Sequence, residues 1–590
     1  MRNIFFILFI FLNITMEATT INYKISLLNP NTHYANIELE ISGFTSKTLE
    51  FKMPVWTPGS YMVREFEKNV DRVTASNDKG AIEISKTDKS TWKISDTKGS
   101  KKIVISYPIY CFEASVRTSY IDSEHAFFLL TSCLMYSEGM TASGGSITLD
   151  YPKIWQKIST TLSLSKPNVY NYANYDELVD SPIEIGNHAE ISFTVQGVPH
   201  TAALVGLNNC PIEKFTTDIT KICETMSAIV GKHPCKEYLF VIHHVEEGGG
   251  GLEHANSCVV QIPRFNYTKS DKYISFLGLL AHEYFHLWNV KRIRPIALNP
   301  FDYSKENYTN LLWVAEGITS YYDELALYRA GFWTKTQYLD ALAGGFSATQ
   351  NRIGAKVQCL HEASFDAWIK EYRPTENSLN SNISYYTKGA IVAAILDMEI
   401  VSATNGRKHL DDLMQYLYNE FYLKQNRGFT DKEFYEAINV VAGKLIDMNE
   451  WVLNTNNEST FNTWNTVLNK IGLSMENKPN ISVNYTGINT ELKGEKQLIK
   501  SVDANSPAIQ AGLQASDELI SVNNLRVKLN FEELIKTQFQ LYDSKSTFEI
   551  IYSRAGIVYK TIISATLSPK VNYSIKELKP NELLEKFLRK

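Results

Sequence analysis

Long apolar runs are scarce in this 590-residue chain. Beyond the first dozen residues no stretch is long and apolar enough for a membrane-spanning helix, so no transmembrane segment is expected in the mature chain. Charge of one sign is scarce too. The net charge is −5, and basic and aromatic residues form no groove-like cluster, so nucleic acid is not an expected partner. There is no low-complexity run and no internal repeat. The seven cysteines are scattered without the paired spacing of a metal knuckle. An odd number leaves at least one thiol free or paired outside the chain, and spacing does not assign connectivity. Histidine is sparse, 12 in all, so an ordered pair of histidines carries weight.

What is present reads as an ordinary globular protein, 44% hydrophobic and 21% charged, too long for a single core. Tyrosine (33) and phenylalanine (28) are plentiful and favour β-rich parts. At the amino terminus Arg2 precedes an apolar run from Ile4 to Leu12, with Ala18 near a cleavage point. Residues 1–18 are therefore expected to be a secretory signal, and the chain to be exported, periplasmic or extracellular. No cysteine lies near the cut, so no lipoprotein anchor is expected. Export permits disulfides.

The patterning predicts a multidomain α+β protein. Short alternating runs such as Ile21–Leu27, Ala35–Ile41, Lys102–Tyr107 and Ala189–Val195 predict an all-β, sandwich-like domain over 19–197. From 198 to 474 the pattern predicts a small sheet (Tyr238–His244, Ser257–Pro263) followed by a mostly helical lobe. Its helices are expected at Phe215–Val230, Tyr273–Lys291 and Asn310–Ala330 and at five later segments. Strands return over 475–570, and 571–590 reads as a charged tail or terminal helix.

His282-Glu283-Tyr284-Phe285-His286 is the most informative stretch. Residues i and i+4 share a helix face, so both imidazoles reach one metal ion, while Glu283 is placed to act as general base. This is the helix motif of zinc peptidases, and it predicts one Zn2+ per chain. Glu316, 30 residues beyond His286 on a second helix, is the candidate third ligand. Three protein ligands leave one position open, as in catalytic rather than structural zinc.

His282 to Pro295 (HEYFHLWNVKRIRP), with Leu312 to Tyr322 (LWVAEGITSYY), resembles the glycyl aminopeptidase family of gluzincin metallopeptidases, which carry a PDZ domain. Pro54 to Tyr61 (PVWTPGSY) resembles that family's amino-terminal domain. Ser506-Pro507-Ala508, Ala511-Gly512-Leu513 and Asp517 to Asn523 resemble a PDZ core, although Ser516 and Asn524 stand where glycine is common. The resemblance implies a β-domain, a thermolysin-like catalytic domain and a C-terminal PDZ-like domain. It also implies removal of small amino-terminal residues, Gly and Ala, from peptides with a free amino terminus. A peptide ligand for the PDZ-like domain is a further expected partner.

Gly250, Gly251 and Glu253 are the expected substrate-binding segment. The glycines let a substrate backbone lie close, and Glu253 binds its ammonium group. The segment is similar to the Gly-x-Met-Glu-Asn stretch of aminopeptidase N-type enzymes, with Leu and His in place of Met and Asn. On the same likeness Tyr386, rather than Tyr385, is the expected oxyanion donor. Asp323 and Glu324 are both candidates to orient a histidine. Lys291, Arg292 and Arg294 follow the motif helix and read as a solvated helix end in preference to partners of substrate carboxyl groups. His243 and His244 lie on alternate strand faces, so one is expected packed and one exposed. A broader endopeptidase, or a peptide-binding scaffold with an inactive peptidase domain, remain the alternatives.

Overall fold

The computed structural model describes residues 19–455, 457–479, 484–528, 531–541 and 547–589. The expected signal, residues 1–18, lies outside the described residues. Two compact units emerge. The first comprises residues up to Thr57, Arg64–His188 and Tyr303–Lys305, and the second Pro58–Val63, Ala189–Asp302 and Glu306 onward.

The first unit is β-rich. Its largest sheet has eight strands, beside two four-stranded sheets. Tyr34–Ser42 and Lys102–Tyr110 pair antiparallel with Leu39 opposite Ile105, and both alternate buried and solvated positions. Such alternation marks a sheet with one face on a core and one toward water. Thr20–Ser26 pairs antiparallel with Tyr34–Ser42 and parallel with Gly145–Asp150.

The second unit begins one strand earlier than the sequence pattern suggests. Ala189–Val195 pairs with Val198–Val205, so it belongs to the five-stranded sheet of this unit rather than to an amino-terminal domain ending at 197. Its alternation is that of any half-buried strand, and only the pairing reveals the owner. Tyr238–Val245 and Ser257–Pro263 extend the sheet in parallel, and Gly250–Glu253 closes it as an antiparallel edge.

The helical lobe follows. The motif helix runs Ser270–Phe285, ending six residues before the expected Lys291. Apolar Leu287, Trp288, Val290 and Ile293 continue the hydrophobic pattern, but the chain there is a series of tight turns. The next expected helix is two pieces, a π-turn at Trp313–Gly317 and an α-helix at Ile318–Arg329. Tyr385–Ala403 crosses them, apolar almost all round and buried accordingly.

Leu473–Pro479 pairs antiparallel with Val571–Glu577. Between them lies a six-stranded sheet with helices Pro507–Gln510 and Phe531–Leu541, built on a core that includes Ile499, Leu519, Phe531, Ile535, Phe548 and Ile550. Ser516 and Asn524 adopt φ of 71° and 66°, the left-handed conformation that glycine adopts without strain. Of the two readings of residues 571–590, tail or terminal helix, the structure has the helix. After strand Val571–Glu577, helix Glu582–Leu588 buries Leu584, Phe587 and Leu588, and Arg589 bridges Asp411 at 2.6 Å. Among the described residues no helix is long and apolar enough to cross a membrane.

Candidate active site

His282 lies in the last turn of the motif helix and His286 caps it. Their Nε2 atoms stand 3.4 and 3.3 Å from Glu316 Oε2, and one ligand atom from each of the three residues falls within 4.8 Å of the others. The π-turn matters here. Its extra residue re-aims the side chain that it carries, and Glu316 sits inside it. Gly317, next in line, is pressed against Gly389 of the Tyr385–Ala403 helix.

Each histidine is oriented through its other nitrogen. Asp323 Oδ2 lies 2.8 Å from His282 Nδ1, so of the two expected carboxylates Asp323, not Glu324, takes this place. The Asn289 carbonyl lies 2.6 Å from His286 Nδ1. In its neutral form each imidazole therefore keeps its proton on Nδ1 and turns the Nε2 lone pair toward Glu316.

Burial penalises the charged forms of all these groups, and neighbours decide the outcome. Desolvation pushes Glu283 up to about 7, with the imidazoles of His282 and His286 opposing and Glu253 and Glu316 adding to the rise. Desolvation acts on Glu316 as well, but His286 and His282 hold it down to about 2. Burial opposes a charged His282, yet Asp323 and Glu316 raise it well above the usual imidazole range. The site gathers three buried glutamates, 253, 283 and 316, around two imidazoles. Glu253 Oε1 and Glu283 Oε2 are buried with no hydrogen-bond partner. Two nitrogens and a carboxylate with surplus negative charge are a donor set suited to Zn2+.

Gly250–Glu253 is an edge strand, and this explains the glycines. A Cβ on Gly251 would meet Glu283 Oε1 at 2.2 Å, so only glycine leaves that carboxyl its place. Glu253, Glu283 and His286 bring ligand atoms within 4.8 Å of one another. The segment Pro58–Val63 also enters this unit. A Cβ on Gly59 would stand 2.4 Å from Glu253 Oε2. Tyr61 is buried with its ring 5.7 Å from that of Trp368 and 6.1 Å from that of Tyr372.

Tyr386 lies with its ring 6.3 Å from that of His282 and its hydroxyl 3.1 Å from the Tyr372 hydroxyl. Tyr385 is wholly buried, with its ring stacked 4.7 Å from that of Tyr386. Burial and then Glu316 raise the Tyr386 hydroxyl well above the usual phenol range, so it stays a proton donor at neutral pH.

Other expectations need correction. Lys291 is buried, and Arg292 Nη1 donates to the carbonyls of Ala255 at 2.8 Å and Leu287 at 2.6 Å. Arg292 thus braces the loop that follows the Gly250–Glu253 strand, and Lys291 is buried rather than solvated. His243 and His244 are both buried, because both faces of their parallel strand are covered. His361 pairs with Tyr435 through its Nε2 at 2.6 Å. All seven cysteines are free thiols. Three features are not legible in the sequence: the role of Asn289, the place of the Tyr61 segment beside Glu253, and the edge-strand character of Gly250–Glu253. A glycine run masks a strand, and a lone asparagine in a turn carries no periodic signal.

This constellation of helix motif, second-helix carboxylate and glycine-lined edge strand defines a zinc metallopeptidase. Residues 22–187 match the family described as the peptidase M61 N-terminal domain, and residues 275–392 match M61 glycyl aminopeptidase. Over those two stretches the chain matches two domains of one family, and the protein is a zinc metallopeptidase. Among solved structures it resembles an aminopeptidase N family protein from Idiomarina loihiensis, with 28% identity, a TM-score of 0.88, 97% of this chain covered and 100% of that one. Looser likenesses are to an M1 zinc metallopeptidase from Deinococcus radiodurans (9% identity, TM-score 0.45, 74% of this chain and 93% of that one) and to yeast LTA4 hydrolase (13%, 0.44, 74% and 68%). No curated protein sequence matches the chain.

Proposed function

We propose that this protein is an exported aminopeptidase that removes small amino-terminal residues, Gly and Ala, from peptides, with one zinc held by His282, His286 and Glu316. The observation that carries the reading is Glu253. A buried carboxylate with an unpartnered oxygen, beside the general-base candidate Glu283, is costly unless a cation meets it. The ammonium group of a free amino terminus is such a cation, and a mid-chain peptide lacks one.

Bound at these ligands, zinc supplies Lewis-acid polarisation of the first peptide carbonyl and lowers the pKa of water. Glu283 takes the proton of the attacking water and later delivers it to the leaving amine. The Tyr386 hydroxyl donates to the developing oxyanion. Gly251 keeps the Glu283 carboxyl in its place, and Glu253 holds the amino terminus so that the first bond is the one attacked.

Preference for small residues rests on the aromatic wall. Pro58–Val63 lies against Glu253 through Gly59, so Tyr61, Trp368 and Tyr372 fill space beside the anchored first residue. The sheet over 484–566 is read as PDZ-like. A cleft of ≈ 180 Å³, lined by Gly487, Ile488, Asn489, Asp503, Phe531 and Ile535 among others, lies between the start of edge strand Ile488–Lys493 and helix Phe531–Leu541 and is where a peptide end would be received. Export rests on the sequence of residues 1–18 alone.

The test is hydrolysis of Gly-, Ala- and Leu-nitroanilides by the purified protein, with metal analysis and Glu283→Gln beside it. The reading expects turnover of Gly and Ala, little of Leu, one zinc per chain, and no turnover by Glu283→Gln. Efficient turnover by Glu283→Gln would overturn the mechanism, and equal turnover of Leu would overturn the specificity.

A further inference from the structure

We propose that Asn289 is a positioning residue that locks His286 and the Glu316 turn into one unit. The inference rests on the ligand set proposed above.

Asn289 lies three residues beyond His286, in the tight turns after the motif helix, and is fully buried at 0% exposure. Its backbone carbonyl accepts from His286 Nδ1 at 2.6 Å. This fixes the imidazole tautomer, placing the proton on Nδ1 and the lone pair on Nε2. Its side chain reaches the other way. Nδ2 lies 2.8 Å from the Val314 carbonyl, 3.0 Å from the Ala315 carbonyl and 3.1 Å from Thr319 Oγ1. Val314 and Ala315 immediately precede Glu316 in the π-turn. One residue therefore holds an imidazole with its backbone and the carboxylate-bearing turn with its side chain.

The chemistry at this point admits only an amide. All three groups facing Nδ2 are oxygens, and Thr319 Oγ1 already donates to the Ala315 carbonyl at 2.7 Å. An amide NH2 offers two hydrogens to such a cluster, whereas a carboxylate of the same shape offers none and repels it. The turn follows a π-helical path that a regular α-helix does not need, so its shape depends on ties of this kind. His282, by contrast, is oriented by Asp323 through a separate contact. Loss of Asn289 should thus loosen two of the three ligands together and leave the third oriented.

The test compares the intact protein with Asn289→Asp, Asn289→Ala and His286→Ala. Zinc affinity is measured by chelator competition, and ligand geometry by the visible spectrum of the cobalt(II)-loaded protein. Wild type that binds one zinc, with binding abolished in His286→Ala, establishes the ligand reading independently. On that basis Asn289→Asp should weaken zinc binding by about 10- to 100-fold, the range for groups that orient metal ligands. Its cobalt spectrum should shift, and Asn289→Ala should do the same to a smaller extent. Far-ultraviolet circular dichroism of the metal-free proteins separates this from global unfolding. If Asn289→Asp does not fold, Asn289→Ala decides alone. A folded Asn289 variant with wild-type zinc affinity and an unchanged cobalt spectrum overturns the proposal.

Discussion

Gly317 and Gly389 meet with no side chain between them. A Cβ on Gly317 would stand 2.5 Å from the Gly389 Cα, and one on Gly389 would stand 2.9 Å from the Gly317 Cα. Glu316 precedes the first glycine, and Tyr386 lies one turn before the second. The crossing therefore sets the separation of a metal-ligand candidate from the oxyanion-donor candidate. Gly389→Ala forces the helices apart and should destabilise the fold by about 1–3 kcal/mol, the range for overpacking. Turnover should fall as well. Thermal unfolding and kcat on Gly-nitroanilide check this, and a variant as active and stable as wild type would contradict it.

Gly251→Ala tests a different close approach. The added methyl would displace Glu283, to which the three atoms nearest the Cβ position all belong, Oε1 at 2.2 Å. Zinc content should stay near wild type while kcat falls by about 100-fold or more, the contribution expected of a general base. Metal analysis beside kcat separates this outcome from loss of metal.

The adjacent carboxyls 323 and 324 should behave oppositely. Asp323→Asn weakens the hold on His282 and should lower zinc affinity by about 10-fold or more. Glu324 makes no such contact. Burial, and then Asp323, push it up to about 8. Its folded pKa thus lies above the unfolded value, so folding retains a proton as pH rises from the ordinary carboxyl range toward 8. Stability is lost across that window and levels off above it. Glu324→Gln should therefore stabilise the protein at pH 8 and above, have little effect near pH 4, and leave zinc affinity unchanged. Thermal unfolding across that range checks the sign.

Tyr61→Ala opens the wall beside the anchored residue. The ratio of kcat/KM for Leu- over Gly-nitroanilide should rise by roughly 10-fold or more, in line with the cost of crowding a side chain in an apolar pocket. An unchanged ratio would mean that Tyr61 does not border the first residue of the substrate.

The helix motif was legible because i,i+4 spacing is a property of sequence alone, and Glu316 because its Trp-Val-Ala-Glu-Gly setting is distinctive. The turn that aims Glu316 was not legible. Residues 310–330 have an unbroken apolar pattern, and the π-turn is seen only in the tertiary structure, where it packs against Gly389 and accepts hydrogen bonds from Asn289. The motif helix was read too long for a similar reason, since buried Trp288 and Ile293 keep the apolar rhythm while the backbone turns. Pro58–Val63 looked like part of the β-rich domain, and only tertiary contacts assign it to the unit that holds the site. His243 and His244 were misread because alternation predicts an exposed face only where a sheet has one.

Glu253, as proposed, makes this an enzyme of amino termini. The most direct test is mass spectrometry of products from two peptides identical in sequence, beginning with Gly, one with a free amino terminus and one acetylated. Loss of the first residue from the free peptide, no cleavage at any bond of the acetylated one, and a steep loss of turnover in Glu253→Gln are expected. Internal cleavage of the acetylated peptide at a comparable rate would contradict that role for Glu253.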